Sequence, residues 1–346
     1  MKIIITGNLG YVGPVVVKQL RSTYPNAELI GIDSGFFAHN LTDAAQFPEV
    51  RLNQQIFGDV RTVDGQVFNG ADAVVHLAAI SNDPMGNQFE QITHEINYLA
   101  SIRIAELAKA AGVRHFVFAS SCSIYGFAEG GPRDEQSPVN PLTAYAKSKV
   151  QTEVALQALA DDRFVVTALR FATACGMSPR LRLDLVLNDF VASAVATQSI
   201  TILSDGTPWR PLIAVSDMAR AIEWAVTRVP GNTPFLAINA GSDTWNYQVK
   251  ELAQAVSAVF GQVEVNINPT GQPDKRSYKV SFDLFKSLAP NHQPVATLDG
   301  EIRALKTGLE TISFNNPNFR NSSFMRLKVL TAHLDNGLLQ KELKWN

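Results

Sequence analysis

A chain of 346 residues exceeds the roughly 250–300 that one hydrophobic core usually serves, so one large core with a smaller lobe, or two joined lobes, is expected. Hydrophobic residues make up 46% and charged residues only 18%, below the roughly 25% of ordinary soluble domains, which argues against disorder and for a large interior. With 30 basic and 32 acidic residues intermixed and a net charge of −2, no basic stripe points to nucleic acid or an anionic membrane surface, and a ligand phosphate has to be met locally.

The chain opens on MKIIITGNLG, with one Lys and a short apolar run before a Gly-rich turn. It lacks the longer apolar region and small-residue cleavage site of a signal peptide, so it reads as a first strand. No apolar stretch approaches the roughly 20 residues of a membrane span. The two cysteines, Cys122 and Cys175, lack metal-ligand spacing and are too few for a disulfide framework; no metal site is expected, and the usage fits a reducing cytoplasm.

Apolar runs KIIIT (2–6), ELIGID (28–33), DAVVHLAA (72–79), RHFVFASS (114–121) and RFVVTALR (163–170) alternate with helical patterns at 12–23, 91–111, 141–160 and 216–228. Continuous apolar strands are those buried on both faces, as in a parallel sheet. The order predicts an α/β fold: a Rossmann doubly wound parallel sheet with right-handed crossovers. PFLAINAG (234–241) reads as a last strand returning to that sheet. Residues 1–171 plus 212–240 are expected to form the dinucleotide-binding domain, and 172–211 plus 241–346, where the alternation loosens, a smaller interleaved C-terminal substrate-binding lobe. The tail, 324–345, has apolar residues at helical spacing and is expected to pack on the lobe.

Gly7, Gly10 and Gly13 follow the first strand and open a helix. Glycine permits the tight turn and lets backbone N–H groups approach a pyrophosphate at the positive helix end, although a turn packed closely on a helix uses the same residues. Asp33 ends the second strand about 20 residues after Gly13, where a carboxylate accepts from ribose hydroxyls and repels a 2′-phosphate, favouring NAD over NADP. A solvated strand-end carboxylate is the plainer reading.

Tyr145 and Lys149 lie on one face of a helical stretch introduced by Pro141 and Thr143. An ammonium beside a phenol favours phenolate and lowers the Tyr pKa from about 10. Tyr145 can then take a proton from a substrate hydroxyl as hydride leaves the adjoining carbon. Ser121 ends a strand at the edge where such sheets place ligands.

Together, TGNLGYVG (6–13), GDV (58–60), HLAA (76–79), SSCSIYG (120–126), YAKSK (145–149), LRFATACG (169–176) and PWRPLIAVSDMARA (208–221) resemble the extended short-chain dehydrogenase/reductase family, in its NAD-dependent nucleotide-sugar epimerase/dehydratase branch. The resemblance implies that Gly7, Gly10, Tyr11, Val12, Gly13 and Asp33 hold NAD, that Asp59 and Val60 bracket the adenine, and that Leu77, Ala78 and Ala79 line the path to the nicotinamide, whose ribose Lys149 holds. It makes Ser121 the hydroxyl that binds the reacting oxygen beside Tyr145, with a strand-end cap as the alternative and Ser120 as a competitor. Asn97 is either a structural or proton-relay residue or only a partner of backbone groups.

The 4,6-dehydratases of this family carry an Asp-Glu pair where Cys122 and Ser123 stand, so simple dehydration is disfavoured. Cys122 is an accessory acid/base or a small buried residue. The lobe offers Arg180, Arg182, Arg210 and Arg276 to a nucleotide diphosphate, whose oxygens suit the planar guanidinium fork; the resemblance favours Arg210 and Arg276. Ser81, Asn82 and Asp83 follow HLAA where a sugar ring is expected, and Thr173 replaces an Asn common in the family's sugar-4-epimerases. Related enzymes pair through helices matching 91–111 and 141–160, implying a homodimer. The leading reading is a nucleotide-sugar epimerase acting by transient hydride transfer. A net dehydrogenase, ketoreductase or dehydratase of the same family uses the same residues. A non-catalytic NAD-binding sensor or scaffold is the reading of another class, against which the intact Ser121, Tyr145 and Lys149 argue.

Overall fold

The computed structural model describes residues 1–42, 44–261, 263–268, 270–271 and 276–346. Its strands, in chain order, are β1 Lys2–Thr6, β2 Glu28–Asp33, β3 Gln54–Phe57, β4 Ala73–His76, β5 His115–Ser121, β6 Val165–Phe171, β7 Thr173–Cys175, β8 Ser199–Ile202, β9 Trp209–Ala214, β10 Phe235–Ala240, β11 Asn246–Gln248 and β12 Glu264–Ile267. Seven form one sheet in the order β10-β6-β5-β4-β1-β2-β3, every neighbouring pair parallel. The apolar runs became strands because both sheet faces are covered: β4 and β6 are buried at every position. Winding reverses between β1 and β4, which opens a crevice at the carboxyl ends of the strands, where doubly wound sheets take their ligands. Strand β3, QQIF, was not expected. It is an edge strand whose Phe57 is 69% exposed, so it carries no apolar run to read.

The helices are α1 Gly13–Thr23, α2 Asp83–Gln88, α3 Glu90–His94, α4 Ala100–Ala110, α5 Ala144–Leu159, α6 Val186–Thr197, α7 Val215–Ala225, α8 Val249–Phe260, α9 Asp283–Leu288, α10 Leu298–Thr311 and α11 Arg326–Asp335. The single helix expected over 91–111 is instead α3 and α4 joined by a π-helical turn, Glu95–Leu99. Helix α5 begins at Ala144, later than the expected 141, because the Thr143 hydroxyl caps it by accepting from the Ala146 N–H at 3.2 Å.

One hydrophobic cluster, with Ile3, Ile5, Val16, Leu20 and Ile222, covers one face of the sheet; a second, with Ile4, Ile30, Ile32, Ile104 and Phe116, covers the other. A third, with Leu187, Val191, Leu212, Leu252 and Leu305, surrounds the small sheets β11-β9-β7 and β12-β8. The tail differs from expectation. Its start keeps to the lobe, where Phe324 and Met325 pack on the third cluster, but Leu330, Leu339 and Leu343 are buried in the second cluster beside Ile32 and Phe36, so the rest of the tail packs on the large sheet's side of the molecule. At roughly 1.5–3 kcal/mol per buried Leu this docking is firm. Among the described residues, no helix is long and apolar enough to cross a membrane, and no three His, Cys, Asp or Glu are grouped to hold a metal ion.

Candidate active site

A cleft of about 480 Å³ runs along the carboxyl ends of β1, β2, β4 and β5 and is roofed by residues from β7 onward. At its floor the three glycines divide their work. Gly7 has φ +75°, and a Cβ there would stand 2.6 Å from the Ala78 nitrogen; one at Gly13 would stand 2.3 Å from the Asn8 carbonyl. Both positions therefore serve close packing. A Cβ at Gly10 would meet only the Gly7 carbonyl, at 3.2 Å, and Gly10 lines the cleft, so it is the glycine that lets a ligand approach the backbone. The Tyr11 hydroxyl donates to the Gly176 carbonyl at 2.6 Å, tying the turn to the roof.

Asp33 closes β2 inside the cleft. Its carboxylate accepts from the Leu9 N–H at 2.9 Å and the Gly35 N–H at 2.7 Å. Burial pushes its pKa up while those two bonds pull it down, and the lone pairs left over can accept ribose hydroxyls. Asp33 is thus half-buried and held by backbone N–H groups rather than free in solvent. Asp59 grips Arg61 through both oxygens, and Asp59, Val60, Leu77, Ala78 and Ala79 all line the cleft, as do Tyr11 and Val12.

Ser121, Tyr145 and Lys149 meet at the centre. The Ser121 hydroxyl lies close enough to the Tyr145 phenol to pull its pKa down and accepts from the Ser123 N–H at 3.1 Å, so it is both a strand-end cap and a neighbour of the phenol. Ser120 does not compete, because it donates to Glu153 at 2.5 Å, itself paired with Arg170 in the interior. The Lys149 ammonium donates to the Ala119 carbonyl at 2.7 Å and lies 5.4 Å from the centre of the Tyr145 ring. The expected lowering of Tyr145 is not what the structure holds. Burial pushes the phenol up to about 12, with the Ser121 hydroxyl opposing, and burial pulls Lys149 down to about 7 against the raising effect of Glu153. Desolvation dominates both shifts, and the charges that act beside it are Asp83 and Arg182 on Tyr145 and Glu153 on Lys149.

Cys122 is fully buried, with its thiol donating to the Arg170 carbonyl at 3.0 Å. Burial raises its pKa far above the ordinary thiol range, which corrects the reading of Cys122 as an acid or base. Ser123 lines the cleft, and its buried hydroxyl has no hydrogen-bond partner among the described residues. Asn97, fully buried in the π turn, pairs with both backbone groups of Ile80: it accepts from the N–H at 2.8 Å and donates to the carbonyl at 3.0 Å. It also donates to the Ser148 hydroxyl at 3.3 Å. Its place is structural, fixing the chain just after β4.

On the roof, Thr173, Arg182, Arg210 and Arg276 line the cleft together with Ser81, Asn82 and Asp83. Arg182 donates to the Ser81 hydroxyl at 2.9 Å and pairs with Asp184; Asn82 caps α2 and donates to Asp184 at 2.8 Å; Arg276 pairs with Asp83. Asp274 and Lys275, in the DKRSYKV segment that singled out Arg276, lie outside the described residues. Arg180 is a correction. It is 2% exposed, turns away from the cleft and pairs with Glu49 at 2.7 Å, so it braces the loop after β2. Sequence reasoning missed Phe36, Phe37, Asp184, Tyr278 and Arg326, all of which line the cleft. None sits in a spaced motif.

The glycine cradle, the half-buried acid at the end of β2 and the Ser123 hydroxyl, unpartnered among the described residues, fit a dinucleotide with a polyhydroxylated substrate beyond it. The family model described as NAD dependent epimerase/dehydratase matches residues 3–241. The UDP-glucose 4-epimerase of Bacillus subtilis (strain 168) is 28% identical over 286 residues, covering 76% of this chain and 83% of the relative. A probable UDP-glucuronate 4-epimerase of Rhizobium meliloti (strain 1021) is 24% identical over 344 residues, covering 88% and 95%. Among solved structures, the UDP-glucose-4-epimerase from Stenotrophomonas maltophila with bound NAD and formylated UDP-arabinopyranose gives a TM-score of 0.78 at 21% identity over 90% of this chain and 99% of that one. An NAD-dependent NDP-hexosamine 5,6-dehydratase of tunicamycin biosynthesis gives 0.77 at 20% identity, over 92% and 99%.

Proposed function

Because the chain belongs to the NAD dependent epimerase/dehydratase family, and is thus an enzyme whose cofactor is NAD, we propose that it is a nucleotide-sugar epimerase with Tyr145 as its acid/base. The observation that carries this reading is that Ser121, Tyr145 and Lys149 line one cleft together with Asp33, Arg210 and Arg276. Bound NAD supplies a nicotinamide that takes and returns hydride, and in its oxidised form a positive charge that favours phenolate. Gly10 and Asp33 hold the pyrophosphate and the adenosine ribose, and Lys149 holds the nicotinamide ribose. Ser121 binds the reacting hydroxyl, and Tyr145 takes its proton and later gives it back. Arg210 and Arg276 engage the sugar nucleotide's diphosphate. The relatives favour a UDP sugar.

Cys122 faces the interior and position 123 is a Ser, so neither supplies the second acid/base group that an elimination needs. The assay is proton NMR of UDP-glucose, UDP-galactose and UDP-glucuronate incubated with the protein and NAD⁺. An isomeric sugar nucleotide without net NADH is the expected result. Stoichiometric NADH and no isomer establishes a net dehydrogenase instead, and failure of UDP-, GDP-, CDP- and dTDP-sugars alike to raise the melting temperature removes the substrate class. Exposed Leu99 and Val154, on the packed helical segments after α3 and on α5, suit a homodimer, which a single-chain mass by light scattering at micromolar concentration removes. Both cysteines are free and buried, which suits a cytoplasmic setting.

A further inference from the structure

Arg326 opens helix α11, far in sequence from every motif of the floor. Its side chain lines the cleft although the residue is only 1% exposed. One arm of the guanidinium is used: Nη2 donates to the Arg180 carbonyl at 2.7 Å. The other, Nη1, is buried with no hydrogen-bond partner among the described residues. The group stacks 4.7 Å from the centre of the Phe37 ring. Its arginine neighbours are each matched, Arg180 by Glu49 and Arg182 by Asp184, whereas no carboxylate forms an ion pair with Arg326 among the described residues. Burial, and then the nearby Arg182, pulls its pKa down to about 9, which leaves it charged at neutral pH.

A buried cation with an idle donor is costly unless an anion completes it. Phe37 and the segment it belongs to place that anion at the Asp33 end of the cleft. Helix α11 and the tail after it are tied to the same end: the His333 ring to the Phe36 carbonyl at 3.0 Å, the Trp345 indole N–H to the Ser34 carbonyl, and Arg61 to the Leu343 carbonyl at 3.0 Å. Arg210 and Arg276 stand at the other end, around Tyr278. We propose that Arg326 is a cofactor-binding residue whose Nη1 takes a phosphate oxygen of the dinucleotide, making the C-terminal segment part of the NAD site. The inference rests on the NAD reading of the cleft and adds the C-terminal segment of the chain to it.

The test is binding, read by calorimetry on the intact protein with NAD⁺, ADP-ribose, adenosine and UDP as probes. For Arg326→Met, affinity for NAD⁺ and ADP-ribose is expected to fall roughly ten- to hundredfold, as for loss of one charged hydrogen bond. Adenosine, which has no phosphate, and UDP are expected to stay within about threefold. The ligand-free melting temperature is expected to be no lower than that of the unsubstituted protein, since an unmatched buried charge has gone. Unchanged NAD⁺ affinity overturns the proposal, and a fall for UDP with NAD⁺ unchanged assigns Arg326 to the substrate diphosphate and overturns it too. Should the Met variant not fold, Arg326→Lys keeps the charge and stem without the fork; a loss of about fivefold for NAD⁺ and ADP-ribose supports the proposal and no loss refutes it. If the unsubstituted protein binds no NAD⁺, the cofactor reading itself fails, a result distinct from all of these.

Discussion

On the floor of the cleft the working groups come from short stretches of chain, Gly7 to Gly13, Asp33, Leu77 to Ala79 and Ser121, each at or just beyond the carboxyl end of a strand. On the roof, Arg182, Arg210, Arg276 and Arg326 come from four segments that share no spacing. The floor is positioned by backbone geometry, the roof by tertiary packing. Substitutions on the floor should therefore act on chemistry and cofactor, and those on the roof on stability or ligand affinity.

The sharpest test of that division is Tyr145→Phe. If proton transfer belongs to the floor, kcat falls about 10³-fold, about 4 kcal/mol of barrier, while NAD⁺ affinity holds. A loss below tenfold breaks the assignment, and no loss at all supports the sensor reading. Next in size is Arg180→Met, on the roof but outside the cleft. Leaving Glu49 without its partner should cost about 2–3 kcal/mol in urea denaturation, somewhat below a fully buried pair because Glu49 keeps 19% of its side chain exposed. The KM for the sugar nucleotide should not move; a tenfold rise in KM at unchanged stability returns Arg180 to the site.

The two regions also titrate in opposite senses. Glu301, in α10 on the roof side, is raised to about 7 by burial and by Asp217. Its folded form holds a proton that the unfolded chain has lost, so its contribution is full below its unfolded pKa and disappears as pH rises through 7. Lys149 on the floor is lowered to about 7, so it detracts from stability below that pH and ceases to do so as pH rises from 7 towards its unfolded value. Glu301→Gln should flatten the acid-side slope by an amount on the order of 1–2 kcal/mol after allowing for its partial exposure, and Lys149→Met the alkaline-side slope. Denaturation midpoints across pH read both, and slopes of the same sign contradict the assignment. Smallest of all is Cys122→Ala, expected to cost about 1 kcal/mol of stability and to leave activity within about twofold. Inactivation of the native enzyme by a thiol reagent at Cys122 would contradict its burial.

The same contrast explains how much could be read in advance. Strands β1, β2, β4, β5, β6 and β10 announce themselves as apolar runs, and Asp33 and Tyr145 follow from local spacing, so the doubly wound sheet and the centre of the site were legible. Strand β3 was not, because QQIF lies on an edge and needs no apolar face. Nor was α2, since DPMGNQ contains both a Pro and a Gly and is held by its Asn82 cap. Arg180 and Arg326 look alike on paper. What separates them is that one is ion-paired with Glu49 and the other forms no ion pair among the described residues, a fact that exists only after the chain has folded. The direction of the Tyr145 shift failed for a related reason: spacing shows a neighbour but says nothing of burial.

The π turn at Glu95–Leu99 gives the helix between α3 and α4 one residue more than its length requires. Each residue of an α-helix advances the face by about 100°, so a surplus carried through would swing Ile104 and Ala108 off the core. Absorbed in one wide turn, it leaves both flanks in phase and lets Asn97 reach Ile80. Shortening the chain by one residue here restores an ordinary helix in the same register, whereas the same deletion one turn further on rotates a buried face into water. A deletion in the turn therefore spares the helix's buried face and falls instead on Asn97 and the chain it holds beside the cleft.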